Sequence, residues 1–297
     1  MYDRFAFGQG GHFFCRKESE ISNQNWIVEN LNDAFSTWNG KLTELWGLVT
    51  TSPQSFKGGA VWDVMQNLHS AMVGMGYALI VLFFAISLFK NTMNFHELKR
   101  PEAALHYLIR FVAAKALVGY GMDIMLNIFS ICNGVVSDMA AGMGGISQAM
   151  VTLPGEMQSA SENVGFLASI PLWLVTILGS LFITVLSFVM ILTVYGRFFR
   201  IYMYTALAPL PLASFAGEST QSVGISFVKS YIGVCLEGAV IVLACIIYSA
   251  FVSTPTVTGS EPTSMVWSYL AETVFNMLVL VGLVKGSDRI IHEMLGL

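Results

Sequence analysis

Apolar and polar positions along this chain follow two different rhythms, and the change comes near residue 60. From Trp26 to Val49 the apolar residues Ile27, Leu31, Ala34, Phe35, Trp38, Leu42, Leu45, Trp46 and Val49 recur every three or four positions. Glu29, Asn32, Asp33, Thr37, Lys41 and Glu44 fill the gaps. A period near 3.6 predicts one amphipathic helix with an apolar face and a wet face. Its tryptophans (Trp26, Trp38, Trp46) suit a helix lying in a membrane interface; the alternative is a helix packed on the protein's own outer surface. Ser52-Pro53 ends it, because the residue before a proline is pushed out of helical conformation.

Beyond residue 60 the pattern becomes long apolar runs separated by short polar links. About twenty apolar residues suffice to cross a bilayer as a helix. Runs of that length predict spans at about 71–89, 107–136, 166–195, 227–252 and 265–284. The stretch Ile201–Ala216 is apolar too, but Ala208-Pro209-Leu210-Pro211 interrupts it. Pro209 and Pro211 each remove a helix donor, so a break is expected there. Broken backbone at membrane depth must be covered by protein or by a water-filled cavity. The expected division is a flexible tail at 1–20, an amphipathic extracytoplasmic helix and linker at 21–60, and a membrane domain at 61–297. The fold class is all-α and polytopic.

The basic residues assign a direction to these spans. No Lys or Arg occurs from Ala116 to Gly196 or from Ser230 to Val284. Lys and Arg are retained on the cytoplasmic side of short loops. The groups Lys90–Lys115, Arg197–Lys229 and Lys285–Arg289 then share the cytoplasmic side, and the two base-free loops lie opposite. The expectation is a cell-membrane protein with its N-terminus outside and its C-terminus inside. Arg4, Arg16, Lys17, Lys41 and Lys57 must still cross, at the length limit of that rule. Near the N-terminus no apolar core of signal-peptide length follows these bases, so targeting is expected to rest on the first span.

Composition narrows the chemistry. Hydrophobic residues make up 55% of the 297 positions, charged residues 11%, and the formal net charge is −4. That argues against a soluble nucleic-acid binder, which would usually show a basic stripe. The four cysteines are far apart, without metal spacing, and are expected to be free, buried and inert. His96-Glu97-Leu98-Lys99-Arg100 lacks the second histidine of a zinc-protease helix, and no phosphate-binding glycine loop is present. No cofactor and no catalysis are expected. His12, His69, His106 and His292 are expected at surfaces or interfaces.

Ionisable groups at bilayer depth mark a function or a partner. Lys115, Asp123, Glu237 and Glu272 are the candidates. Asp123, Glu237 and Glu272 line a hydrated path or pair with Lys115 between helices; the alternative is that they are buried structural pairs or face a subunit contact. Lys115 and Asp123 stand about 80° apart on one helix, too far to pair within it. Gly238-Ala239, next to Glu237, would let another helix approach closely.

Several stretches together resemble the TrbL-like polytopic inner-membrane subunits of type IV secretion and conjugation systems. They are Gly76-Tyr77-Ala78-Leu79 through Phe89-Lys90, Phe95 through Glu102, and Arg110-Phe111-Val112-Ala113-Ala114-Lys115. A second block runs from Arg197-Phe198-Phe199-Arg200-Ile201-Tyr202 through Ala206–Ala213 to Phe227-Val228-Lys229-Ser230-Tyr231. The resemblance covers about residues 60–290. It implies a non-enzymatic, oligomeric subunit of a machine that passes DNA and attached protein across the membrane beside cytoplasmic ATPases. On that analogy Lys99, Arg100, Arg197 and Arg200 face those ATPases or the substrate. The residues alone leave two further readings, a secondary transporter of a small solute and a scaffold that encloses no path.

Overall fold

The computed structural model describes residues 11–92, 101–142, 150–155, 158–159, 166–252 and 262–296. Lys99, Arg100, His12 and His96 have no described side chains, and Lys99, Arg100 and His96 lie outside these residues altogether. Among the described residues the chain is helical, without a strand. Helix α1 covers Gly11–Thr50, α2 Ala60–Thr92, α3 Pro101–Gly119 and α4 Gly121–Gly142. Helix α5 covers Phe166–Leu207, the short α6 Pro209–Leu212, α7 Gln221–Val252 and α8 Pro262–Leu295. Half of the segment expected as a tail is thus the first part of α1.

Among the described residues five helices are long and apolar enough to cross a membrane: Phe56–Lys90, Gly121–Gly142, Leu172–Leu207, Gln221–Phe251 and Ser264–Leu295. The second differs from the expected 107–136. The chain kinks at Gly119-Tyr120-Gly121, although the Tyr120 and Ile124 amides still bond four residues back, at 2.9 and 3.0 Å. The apolar run is continuous across the two glycines, so hydropathy reads one span where the backbone makes two helices.

The chain divides into two compact units. The first comprises Met1–Thr43, Ile146–Val189 and Ile247–Val281. Here the apolar face of α1 is buried at Ile27, Leu31, Ala34, Phe35, Trp38 and Leu42. That face packs on the protein itself. The Asn39 side chain donates to the Val151 carbonyl at 2.8 Å and accepts from the Val151 amide at 2.9 Å. Tyr269 meets Phe35 edge-on and donates to the Thr152 carbonyl at 3.0 Å. Along α5 the hydroxyls of Thr176, Ser180, Thr184 and Ser187 bond to carbonyls three or four residues back, so polar groups in a charge-free span are satisfied internally.

The second unit comprises Glu44–Gly145, Met190–Ile246 and Gly282–Leu297. Between α1 and α2 the chain reverses through Lys57, Gly58 and Gly59, with φ of 52°, 75° and 82°. Three successive left-handed residues are affordable because two are glycines. This reversal is fixed against α5: Phe56 stacks on Phe198 at 4.1 Å, Lys57 lies over the Tyr195 ring, and Tyr202 donates to the Pro53 carbonyl at 2.8 Å. The core of the unit gathers Ile80, Ala114, Val118, Met125, Phe129, Ile201, Leu212, Tyr231 and Val234.

Candidate functional site

Two arginines and two acids of the second unit converge where α5, α7 and α8 meet. Arg197 and Arg200 are three residues apart on α5 and therefore share a face. Arg197 is 1% exposed. Its Nε donates to the Val234 carbonyl at 3.2 Å, Nη2 to Cys235 at 3.1 Å and Nη1 to Val49 at 3.4 Å. Helical carbonyls in mid-span are normally shielded by side chains. Gly238 removes that shield, and the guanidinium fills the space above it.

Arg200 carries the second half of the cluster. Its Nη2 lies 2.6 and 2.8 Å from the two Glu237 carboxylate oxygens, and its Nη1 bonds to Asp288. Ser287 donates to Glu237 at 3.1 Å. The Glu237 side chain is 1% exposed, Arg200 28% and Asp288 44%, so the cluster grades from buried to accessible. His292 stands 3.6 Å from Asp288 on the next turn. A buried carboxylate is tolerated only when paired and hydrogen-bonded, and Glu237 has both. The arrangement fastens three helices by charge. No group of three potential metal ligands occurs among the described residues.

Beside the cluster lies the proline elbow. Helix α5 runs to Leu207 before it breaks, later than the apolar pattern alone implies. Pro209 opens the four-residue α6, Pro211 sits inside it, and a 3-10 turn over Ala213–Ala216 follows. Ala208, Pro209, Leu212, Ala213, Ser214 and Ala216 are buried, packed on α2 and α3. Such cover is what an apolar stretch with an interrupted helix requires. Gly76 admits it: a Cβ there would stand 2.9 Å from the Pro209 carbonyl oxygen. His69, expected at a surface or an interface, is buried, with Nδ1 2.7 Å from the Thr205 carbonyl.

Not every candidate joins this site. Lys115 is exposed on α3 and Asp123 is exposed on α4; no ion pair joins them among the described residues. Glu272 is half-buried on α8 in the first unit. Glu237 is paired with Arg200 rather than Lys115. Arg197, expected on a partner-facing surface, is enclosed because its three donors find backbone carbonyls inside the unit. Gly238, expected to admit a helix, admits that guanidinium instead. Cys132, Cys235 and Cys245 are free and buried, as read from the sequence. Ser287 and Asp288 were missed; the adjacent polar pair on the C-terminal turns of an apolar helix was the available signal.

Five apolar helices of spanning length among the described residues, three of them fastened by an ion-pair cluster, define a multi-pass helical membrane protein. Residues 38–209 match the family described as TrbL/VirB6 plasmid conjugal transfer like protein, and the chain belongs to that family. Neither the curated proteins nor the solved structures compared yielded a match.

Proposed function

We propose that this chain is a non-enzymatic inner-membrane subunit of a conjugal, type IV transfer machine, contributing to or surrounding the passage that its cargo crosses. The family match over residues 38–209 is the observation that carries this reading. The five spanning helices and the covered elbow support it, since both suit a subunit embedded among others. The subunit has its N-terminus outside and its C-terminus inside, works as an oligomer, and meets cytoplasmic ATPases through the basic segment around Lys99 and Arg100. Arg200 and Arg197 serve in this reading as internal fasteners.

The test is an in-frame deletion in the conjugative element, complemented by the wild-type chain. Transfer should fall by several orders of magnitude and return on complementation; undiminished transfer overturns the proposal. Replacing Lys99→Glu and Arg100→Glu together should abolish transfer while the protein still accumulates in the membrane.

A further inference from the structure

Helix α4 presents opposite faces to opposite surroundings. Gly121, Met125, Phe129, Cys132 and Val136 are buried against the core of the second unit. Asp123, Asn127, Ser130, Gly134, Ser137 and Asp138 are exposed. At about 100° per residue these six occupy an arc of about 100°, directly opposite the buried face. The stripe runs almost the whole helix, with Asp123 and Asp138 about 22 Å apart along the axis. None of its side chains finds a hydrogen-bond or ionic partner among the described residues. One flank, at Ile131 and Val135, is apolar and suits lipid.

This helix is long and apolar enough to cross a membrane, and hydrocarbon solvates an amide and two hydroxyls in line poorly, all the more with a carboxylate toward either end of the row. A second observation points the same way. A recess of about 490 Å³ opens at the Asp123 end, lined by Ser52, Gln54, Asp123, Asn127, Ser130 and Asn133. Asn133 donates through Nδ2 to the Thr50 carbonyl at 3.3 Å, while its Oδ1 is buried without a partner.

We propose that the outward face of α4 is one wall of a water-filled groove through the membrane, with the recess as its mouth. The groove takes extended polypeptide bearing neutral or basic side chains. Two carboxylates and no base along α4 repel phosphate, which sets free nucleic acid aside as the occupant of this wall. The choice of polypeptide rests on the reading of the chain as a passage subunit; the wetness of the wall does not.

Single cysteines at Asn127, Ser130, Gly134 and Ser137 test it, with Ile131→Cys and Val135→Cys as lipid-facing controls, in cells carrying the complete transfer machine. Background comes from the parent chain. Membrane-impermeant thiosulfonates of positive and negative charge should label the stripe at least tenfold faster than the controls. The positive reagent should react severalfold faster than the negative one, and Asp123→Asn with Asp138→Asn should erase that preference. Protection of the stripe, or disulfides between copies in place of labelling, overturns the groove. So does equal reaction with both reagents. Labelling of both Asn127→Cys and Ser137→Cys by a bulky maleimide from one side only would lay α4 flat and equally defeat it. Ser130→Cys and Ser137→Cys are nearly isosteric, so the test survives if another variant fails to accumulate. An unlabelled stripe in a chain that transfer still requires sinks the groove alone. A labelled stripe in a chain that transfer does not require sinks the functional reading alone.

Discussion

The Arg197 guanidinium lies where the side chain of Gly238 would begin. A Cβ on that glycine would stand 2.7–2.8 Å from Nη1, Cζ and Nη2. The two positions are therefore coupled: α7 can offer its carbonyls to α5 only while residue 238 has no side chain. Gly238→Ala should push the guanidinium off Val234 and Cys235, at a cost of about 2–3 kcal/mol for buried hydrogen bonds to a charge. Arg197→Lys retains the charge but not the three-way fork and should cost a similar amount. Thermal melts of the purified protein in detergent, read by intrinsic fluorescence, check both.

The Arg200–Glu237 pair makes a different prediction. Replacing Arg200 by alanine strands a fully enclosed carboxylate, and the usual cost of breaking such a pair is about 3–5 kcal/mol. Removing both groups leaves no charge stranded. The double variant Arg200→Ala with Glu237→Ala should therefore be less damaged than the sum of the singles. A double-mutant cycle on membrane accumulation and melting temperature measures the coupling. Strict additivity would show that the two side chains act independently.

The elbow depends on a close approach, and a neighbouring glycine supplies the control. Gly76→Ala should drive α2 against the Pro209 carbonyl and cost about 1–3 kcal/mol, the usual range for overpacking. Gly74, two residues earlier on the opposite face of α2 and with open space around it, should accept alanine without loss. Comparing the two variants' resistance to protease separates packing from helix propensity.

In the first unit, Asn39 holds both backbone groups of Val151. Asn39→Ala should release residues 150–155 while leaving α1 helical. Hydrogen exchange at the Val151 amide should rise by at least tenfold, with little change at the buried turn around Trp38.

Much of the helical plan could be read from hydropathy, and the reasons are local. A charge-free run such as 172–195 admits one interpretation at bilayer depth, and the apolar positions of α1 are buried at their expected 3.6-residue spacing. The break at Pro209 and Pro211 was legible because proline chemistry acts on its own backbone. What escaped was pairing across distance. Arg197 and Glu237 were read from sidedness and depth, which state how far a residue sits from water but not which way it points. Whether Arg200 meets Glu237 and Asp288 depends on the rotation of three helices, 37 and 88 residues away in sequence. The kink at Tyr120 hid for a related reason: two glycines inside an apolar run leave the hydropathy unchanged.

The family match stops at Pro209, within the elbow, whereas the acids that neutralise Arg200 stand later, on α7 and α8. An exchange of parts between members of this family therefore has a natural seam and a wrong one. A chimera cut at the elbow would inherit Arg200 without Glu237 and Asp288, and Arg197 without the space that Gly238 leaves for it. One cut before α5, moving α5, α7 and α8 as a block, would carry its counter-charges along.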